Sequence, residues 1–177
     1  GQKYGEEIDI VSVIPFYNEG DIIGGVTETT VEGLGKYFSD RKNIVLGYGE
    51  KAVGADNIRN YLKDKMQRRL PESWNIIASL NGIRKSGEEL ADYIKSLSDE
   101  DLSAAAEKLD NMPNEKILDK YHPRNVAQRI EGKENVVVHT DLKPEQCRGK
   151  GYSLLAGMII ALYFGAEAYS CYDADLK

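Results

Sequence analysis

Gly149-Lys150-Gly151-Tyr152-Ser153-Leu154-Leu155-Ala156-Gly157, with Tyr172-Asp173-Ala174-Asp175 after it, is the stretch whose reading decides the fold. A Gly-Lys-Gly turn opens an apolar helix, Gly151 to Phe164. A short strand, Ala168 to Tyr172, follows and delivers two carboxylates at its end. In a β-strand, residues i and i+2 share a face, so Asp173 and Asp175 converge on one cation if the strand persists through them. Hard oxygen ligands suit Mg²⁺ or Mn²⁺, which also bind substrate phosphates. The expectation is therefore a diphosphate site with a divalent metal.

Upstream, Ile8-Asp9-Ile10-Val11-Ser12-Val13-Ile14 reads as a central strand covered on both faces and stopping at Pro15. Phe16 to Gly20 is a polar loop, and Ile22 to Phe38 has helical spacing despite its glycines. Asn43 to Glu50 is a second strand. Asp56 to Leu70, with Ile58, Tyr61, Leu62 and Met66, is a second helix that stops before Pro71. Asn135 to Thr140 is a third strand and Asp141 to Arg148 its exit loop. This alternation predicts an α/β fold, a Rossmann-like parallel sheet with helices on its faces.

Between 71 and 131 no strand-like run occurs, and large apolar residues are sparse. Ser86-Gly87-Glu88-Glu89 reads as a capping box that opens a helix, and Ser98-Asp99-Glu100-Asp101 as a second helix start with an acidic first turn. The segment reads as a helical insertion within a single domain over 1–177, not as a domain of its own.

With 177 residues, 41% hydrophobic and 29% charged, the composition is that of an ordinary globular chain. A net charge of −6 without a basic stripe argues against nucleic acid and anionic membranes as partners. Leu154 to Ala166, the longest uncharged run, is too short to span a bilayer and predicts a buried helix. Two cysteines form no disulfide framework, and the first residues lack an apolar signal region, so a cytoplasmic location is expected.

Ligands of doubly wound sheets bind beyond the carboxyl ends of the strands. Here those ends are 15–19, 47–50, 140–150 and 173–175, each carrying glycine, lysine or carboxylate. Lys150, at a glycine-flanked helix start, suits a phosphate, the alternative being a tight turn with an exposed lysine. Asp173 and Asp175 suit a metal, the alternative being a solvated turn. Tyr48 and Glu50 suit a base and a ribose, or form an ordinary loop. Asn18 and Glu19 suit a helix cap, a nucleotide pocket, or both. His122 and His139 receive no role, and no catalytic residue is identified.

Three segments together resemble a GT-A glycosyltransferase of the family-2 type. They are Val11 to Glu19, Gly149-Lys150-Gly151 with Leu155 and Gly157, and Tyr172-Asp173-Ala174-Asp175-Leu176. Gly47-Tyr48-Gly49-Glu50, in place of the usual acidic turn, resembles the mannosylglycerate synthase group. The resemblance implies a nucleotide-diphosphate-sugar donor, UDP- or GDP-linked, bound with Mg²⁺ or Mn²⁺. It places Pro15, Tyr17 and Glu19 in the nucleoside pocket and Glu50 near base or ribose. Lys150 falls near ribose or diphosphate, Asp173 faces ribose or sugar, and Asp175 ligates the metal. It covers the nucleotide-binding half only, since the family's acceptor half and an additional metal ligand lie further on. The implied protein is an incomplete transferase, or else a non-catalytic nucleotide-binding or interaction module.

Overall fold

The computed structural model describes residues 7–49, 54–144, 146–147 and 149–174. Strands β1 (Ile10–Phe16), β2 (Asn43–Gly49), β3 (Val136–Leu142) and β4 (Ala168–Cys171) form one all-parallel sheet in the order β3-β2-β1-β4. Among the described residues eight α-helices accompany it: α1 (Ile23–Tyr37), α2 (Ala55–Gln67), α3 (Trp74–Leu80), α4 (Gly87–Ser96), α5 (Asp99–Asp110), α6 (Asn114–Tyr121), α7 (Pro123–Gln128) and α8 (Lys150–Phe164). The fold is α/β and Rossmann-like. None of the described helices is long and apolar enough to cross a membrane.

The chain divides into two compact units. One holds the sheet with α1, α7 and α8; the other, Gly54–His122, is wholly helical. The helical segment therefore begins earlier and ends earlier than the 71–131 read from sequence. The second predicted crossover helix, α2, packs on α5 and α6. Its apolar stripe of Ile58, Leu62 and Met66 is fully buried there. Amphipathic spacing specifies a buried face but not its partner.

In the sheet unit, period-two alternation sorts side chains onto two faces. Ile14, Phe16, Val45 and Val136 pack with Ile23, Val31 and Leu34 of α1 and Ala127 of α7. Val11, Val13, Ile44 and Leu46 pack on the other face with Ala161 of α8. Burial of each such aliphatic side chain contributes about 1.5–3 kcal/mol. β1 does not stop at Pro15, which pairs with Tyr48. Val13 turns its carbonyl toward the β4 side, where it accepts from Tyr172 N–H. Two residues on, Pro15 faces that same side, beyond the last β1–β4 pair at Val13 and Cys171. Its missing N–H falls where no strand calls for it.

α8 lies close on β1. A Cβ at Gly157 would overlap Val13 and come within 3.0 Å of the Tyr169 ring. The sequence expectation of a buried helix needs correction on its far side. Ser153, Gly157 and Ala161 are buried against the sheet, while Leu155, Ile159, Leu162 and Tyr163 are exposed, the last two at 79% and 83%. A sheet can cover only one face of the helix packed on it.

The helical unit has its own core, including Ile77, Ile94, Leu102, Leu109 and Ile117. Arg59 of α2 is also buried; it donates to the carbonyls of Leu109 (3.4 Å) and Met112 (2.5 Å) and pairs with Asp56 at 2.9 Å. Those bonds satisfy the three donor nitrogens of a guanidinium that would otherwise be costly to desolvate. Both predicted helix starts are present, but the capping box expected at Ser86 is absent and one closes at Ser98 instead. Ser98 Oγ accepts from Asp101 N–H at 3.1 Å, and the Asp101 carboxylate accepts from Ser98 N–H at 2.8 Å. At Ser86 no side-chain bond forms, because Gly87 takes a φ of 57° and turns the chain away from the required geometry.

The Ser98 backbone and hydroxyl bonds, with the Arg69 charge contributing less, hold the Asp101 carboxyl below its ordinary value. Because its folded pKa is depressed, its stabilising effect is present above the unfolded value and is lost as pH falls through the folded one. Ser98→Ala is expected to raise the Asp101 pKa. The thermal-stability gap between the variant and the wild type should narrow on acidification below the ordinary carboxylate range. An NMR titration of the Asp101 carboxyl that matched the wild type would refute this.

Candidate functional site

The strand order reverses direction between β1 and β4. β1 runs on to β2, whereas the chain that leaves β3 crosses back through α8 to β4 on the opposite side of β1. Such a switch point opens a crevice at the carboxyl ends of the two strands. A cavity of about 300 Å³ lies there, lined by Pro15, Phe16, Tyr17, Glu19, Lys143, Lys150, Asp173 and Ala174. Its size falls at the small end of ordinary ligand pockets. Five residues singled out from sequence, Pro15, Tyr17, Glu19, Lys150 and Asp173, meet at this cavity across a separation of more than a hundred and fifty positions.

The strands fix this convergence. Ser12 and Ser170 share a hydroxyl–hydroxyl bond of 2.8 Å between β1 and β4. The Tyr169 hydroxyl donates to the Leu154 carbonyl at 2.8 Å, fastening β4 to α8. Burial raises the Tyr169 pKa, with Cys171 adding to the effect, so the phenol stays a donor. At the end of β1, the Glu19 backbone carbonyl accepts from Ile22 and Ile23 N–H and so starts α1. Its carboxylate folds back to accept from Tyr17 N–H at 2.6 Å. The expected side-chain cap of α1 is absent, its N-cap being Ile22 without a side-chain bond; the Glu19 side chain lines the cavity instead.

α8 begins at Gly149, whose φ of 87° a residue with a Cβ rarely adopts. No side chain caps this helix, and its first turn carries no acidic residue. Lys150, in that turn, forms an ion pair with Asp173. Both side chains are about half exposed, and an exposed pair of this kind contributes about 0–1 kcal/mol. A stronger ligand for either partner can open it. Burial pushes the Cys171 thiol up, opposed by the Lys150 charge.

Two sequence expectations need revision. β4 ends at Cys171, so strand geometry does not continue through Asp173, and the shared-face argument for Asp173 and Asp175 lapses. Ala174 instead buries itself in the core cluster with Ile14 and Phe16, which anchors the segment that carries Asp173. Tyr48 packs against the α8-side core and is not part of the cavity wall, so it is not placed to stack on a base there. Asp175 and Glu50 lie outside the described residues.

Asp173 offers carboxylate oxygens at the cavity wall, a donor type that fits Mg²⁺ or Mn²⁺. Among the described residues no group of three His, Cys, Asp or Glu side chains is arranged to hold a metal. Sequence reading missed Lys143, which is buried at the cavity wall one residue past β3. Its position at a strand's carboxyl end was the available signal. No protein family, curated protein or solved structure matches the chain.

Proposed function

We propose that this chain is the donor-binding region of a glycosyltransferase, holding a UDP- or GDP-linked sugar through its diphosphate and a divalent cation. One observation carries the reading: Lys150, Asp173 and the Pro15–Glu19 turn share one cavity at the switch point of a parallel sheet. Pro15 and Tyr17 form the wall suited to the nucleoside. The Lys150 ammonium and the open N-terminus of α8 receive the diphosphate, each by charge-assisted hydrogen bonding. Asp173 is the described residue that would hold the Mg²⁺ or Mn²⁺. When bound, that cation acts as a Lewis acid on the departing diphosphate. The chain's own residues fix the donor's orientation and neutralise its charge; the group that activates an acceptor is not among those assigned.

Calorimetric titration with UDP, GDP and their sugars, with and without Mn²⁺, tests the proposal. Metal-dependent diphosphate binding without sugar transfer by the isolated chain is the expected result. Absence of binding by every nucleotide would overturn it and favour an interaction module that lacks a nucleotide.

A further inference from the structure

Six of the nine large hydrophobic side chains that stand exposed among the described residues lie on one helix, α8: Tyr152, Leu155, Met158, Ile159, Leu162 and Tyr163. The helix turns Ser153, Gly157 and Ala161 into the protein, against the sheet. Leu155, Ile159 and Tyr163 each come two residues after one of these. At about 100° per residue, that sets them on the side facing away from the sheet. A strand added at the free edge of β4, with a helix of its own, would lie beside α8 and leave this outer side open. Beyond Lys150 the helix has no charged residue. A helix that lies on a membrane surface ordinarily carries lysine and arginine along its polar face, and α8 has none there.

We infer that this face docks a second copy of the same chain, the two α8 helices packing face to face about a two-fold axis. The inference goes beyond the nucleotide reading and stands or falls without it. The spacing calls for a helix as the occupant. Tyr152, Leu155, Ile159 and Leu162 recur at steps of three, four and three, the seam of a two-helix coiled coil. This seam has the same steps read in either direction from Gly157. An antiparallel partner therefore sets Tyr152 opposite Leu162 of the second copy and Leu155 opposite Ile159, so that one patch complements itself. The net charge of −6 raises no repulsion at the contact, because the face is uncharged. The area is sufficient as well. At about 200 Å² for a fully exposed large side chain, the face offers roughly 700 Å², above the about 500 Å² per partner that a specific interface needs.

Sedimentation equilibrium of the full chain between about 1 and 100 µM tests the inference. A dimer is expected. Ile159→Glu and Leu162→Glu should each weaken it by roughly a hundredfold or more, since each places two unpaired carboxylates in an apolar contact. Both positions are exposed in the single chain, so the variants should keep the wild-type circular dichroism spectrum. A wild type that is monomeric at about 100 µM overturns the inference. Binding of that monomer to phosphatidylcholine vesicles would then assign the face to a lipid surface, and its absence to another polypeptide. A dimer that both substitutions leave intact overturns it too, by placing the interface elsewhere. Should a variant misfold, the wild-type methyl resonances of Leu155, Ile159 and Leu162 decide on dilution: concentration-dependent shifts support the inference, and unmoved resonances overturn it.

Discussion

Lys150→Ala is expected to weaken UDP or GDP binding in the presence of Mn²⁺ by about 10- to 100-fold, corresponding to about 1.4–2.8 kcal/mol. The same substitution should strengthen binding of Mn²⁺ alone. The two effects have opposite signs because Lys150 occupies the Asp173 carboxylate in the unliganded protein. A cation arriving alone must displace an ammonium and then remain beside it. A diphosphate arriving alone draws Lys150 away but leaves Asp173 as an unpaired negative charge beside it. Arriving together, phosphate takes the lysine and metal takes the aspartate, so that each new charge finds its opposite. Cation and diphosphate should therefore bind with positive cooperativity in the wild type and with less in Lys150→Ala. Calorimetry of each ligand with and without the other measures this directly. Equal Mn²⁺ affinity in the two proteins would show that the ion pair does not gate the site.

The second large effect concerns stability. Gly157→Ala should destabilise the sheet unit by about 1–2 kcal/mol, although alanine is the better helix former by about 1 kcal/mol. The added methyl would overlap Val13, a β-branched and fully buried residue that has little freedom to move, and would also crowd Tyr169. Overpacking of this kind costs about 1–3 kcal/mol, occasionally more, and it outweighs the gain in propensity. Gly33→Ala is the control: a methyl there meets nothing within 4 Å, so it should stabilise α1 by about 0.5–1 kcal/mol. Denaturant melts of the two variants should move in opposite directions. A stabilised Gly157→Ala would mean that α8 is not seated on β1 as described.

The sheet was legible because its strands carry strong local signals. Val11 to Ile14 and Ile44 to Leu46 are mostly β-branched or aliphatic and buried on both faces, Val136 to Val138 is a valine run that is buried at Val136 and half-buried beyond it, and the glycines and lysine before α8 mark its start. Pro15, Tyr17, Glu19, Lys150 and Asp173 could be brought together on paper because parallel topology sends strand ends to one side. What stayed hidden depends on tertiary partners. The Ile58–Leu62–Met66 stripe is equally compatible with a sheet and with other helices, and its burial among helices could not be read from spacing. Small residues such as Ala78 and Ala105 allow close helix packing, so a segment poor in large side chains still forms a core. The end of β4 at Cys171 likewise depends on Ala174 finding a buried seat beside Phe16, a contact distant in sequence. Lys143 looked like any loop lysine until the fold enclosed it.

The most direct test of the switch-point site is NMR of the ¹⁵N-labelled chain, titrated with UDP or GDP and Mg²⁺ and then with a trace of Mn²⁺ in its place. The account predicts amide shifts at Tyr17, Gly149, Lys150 and Gly151, with paramagnetic broadening centred on Asp173. Shifts and broadening confined to the helical unit, Gly54–His122, would contradict it.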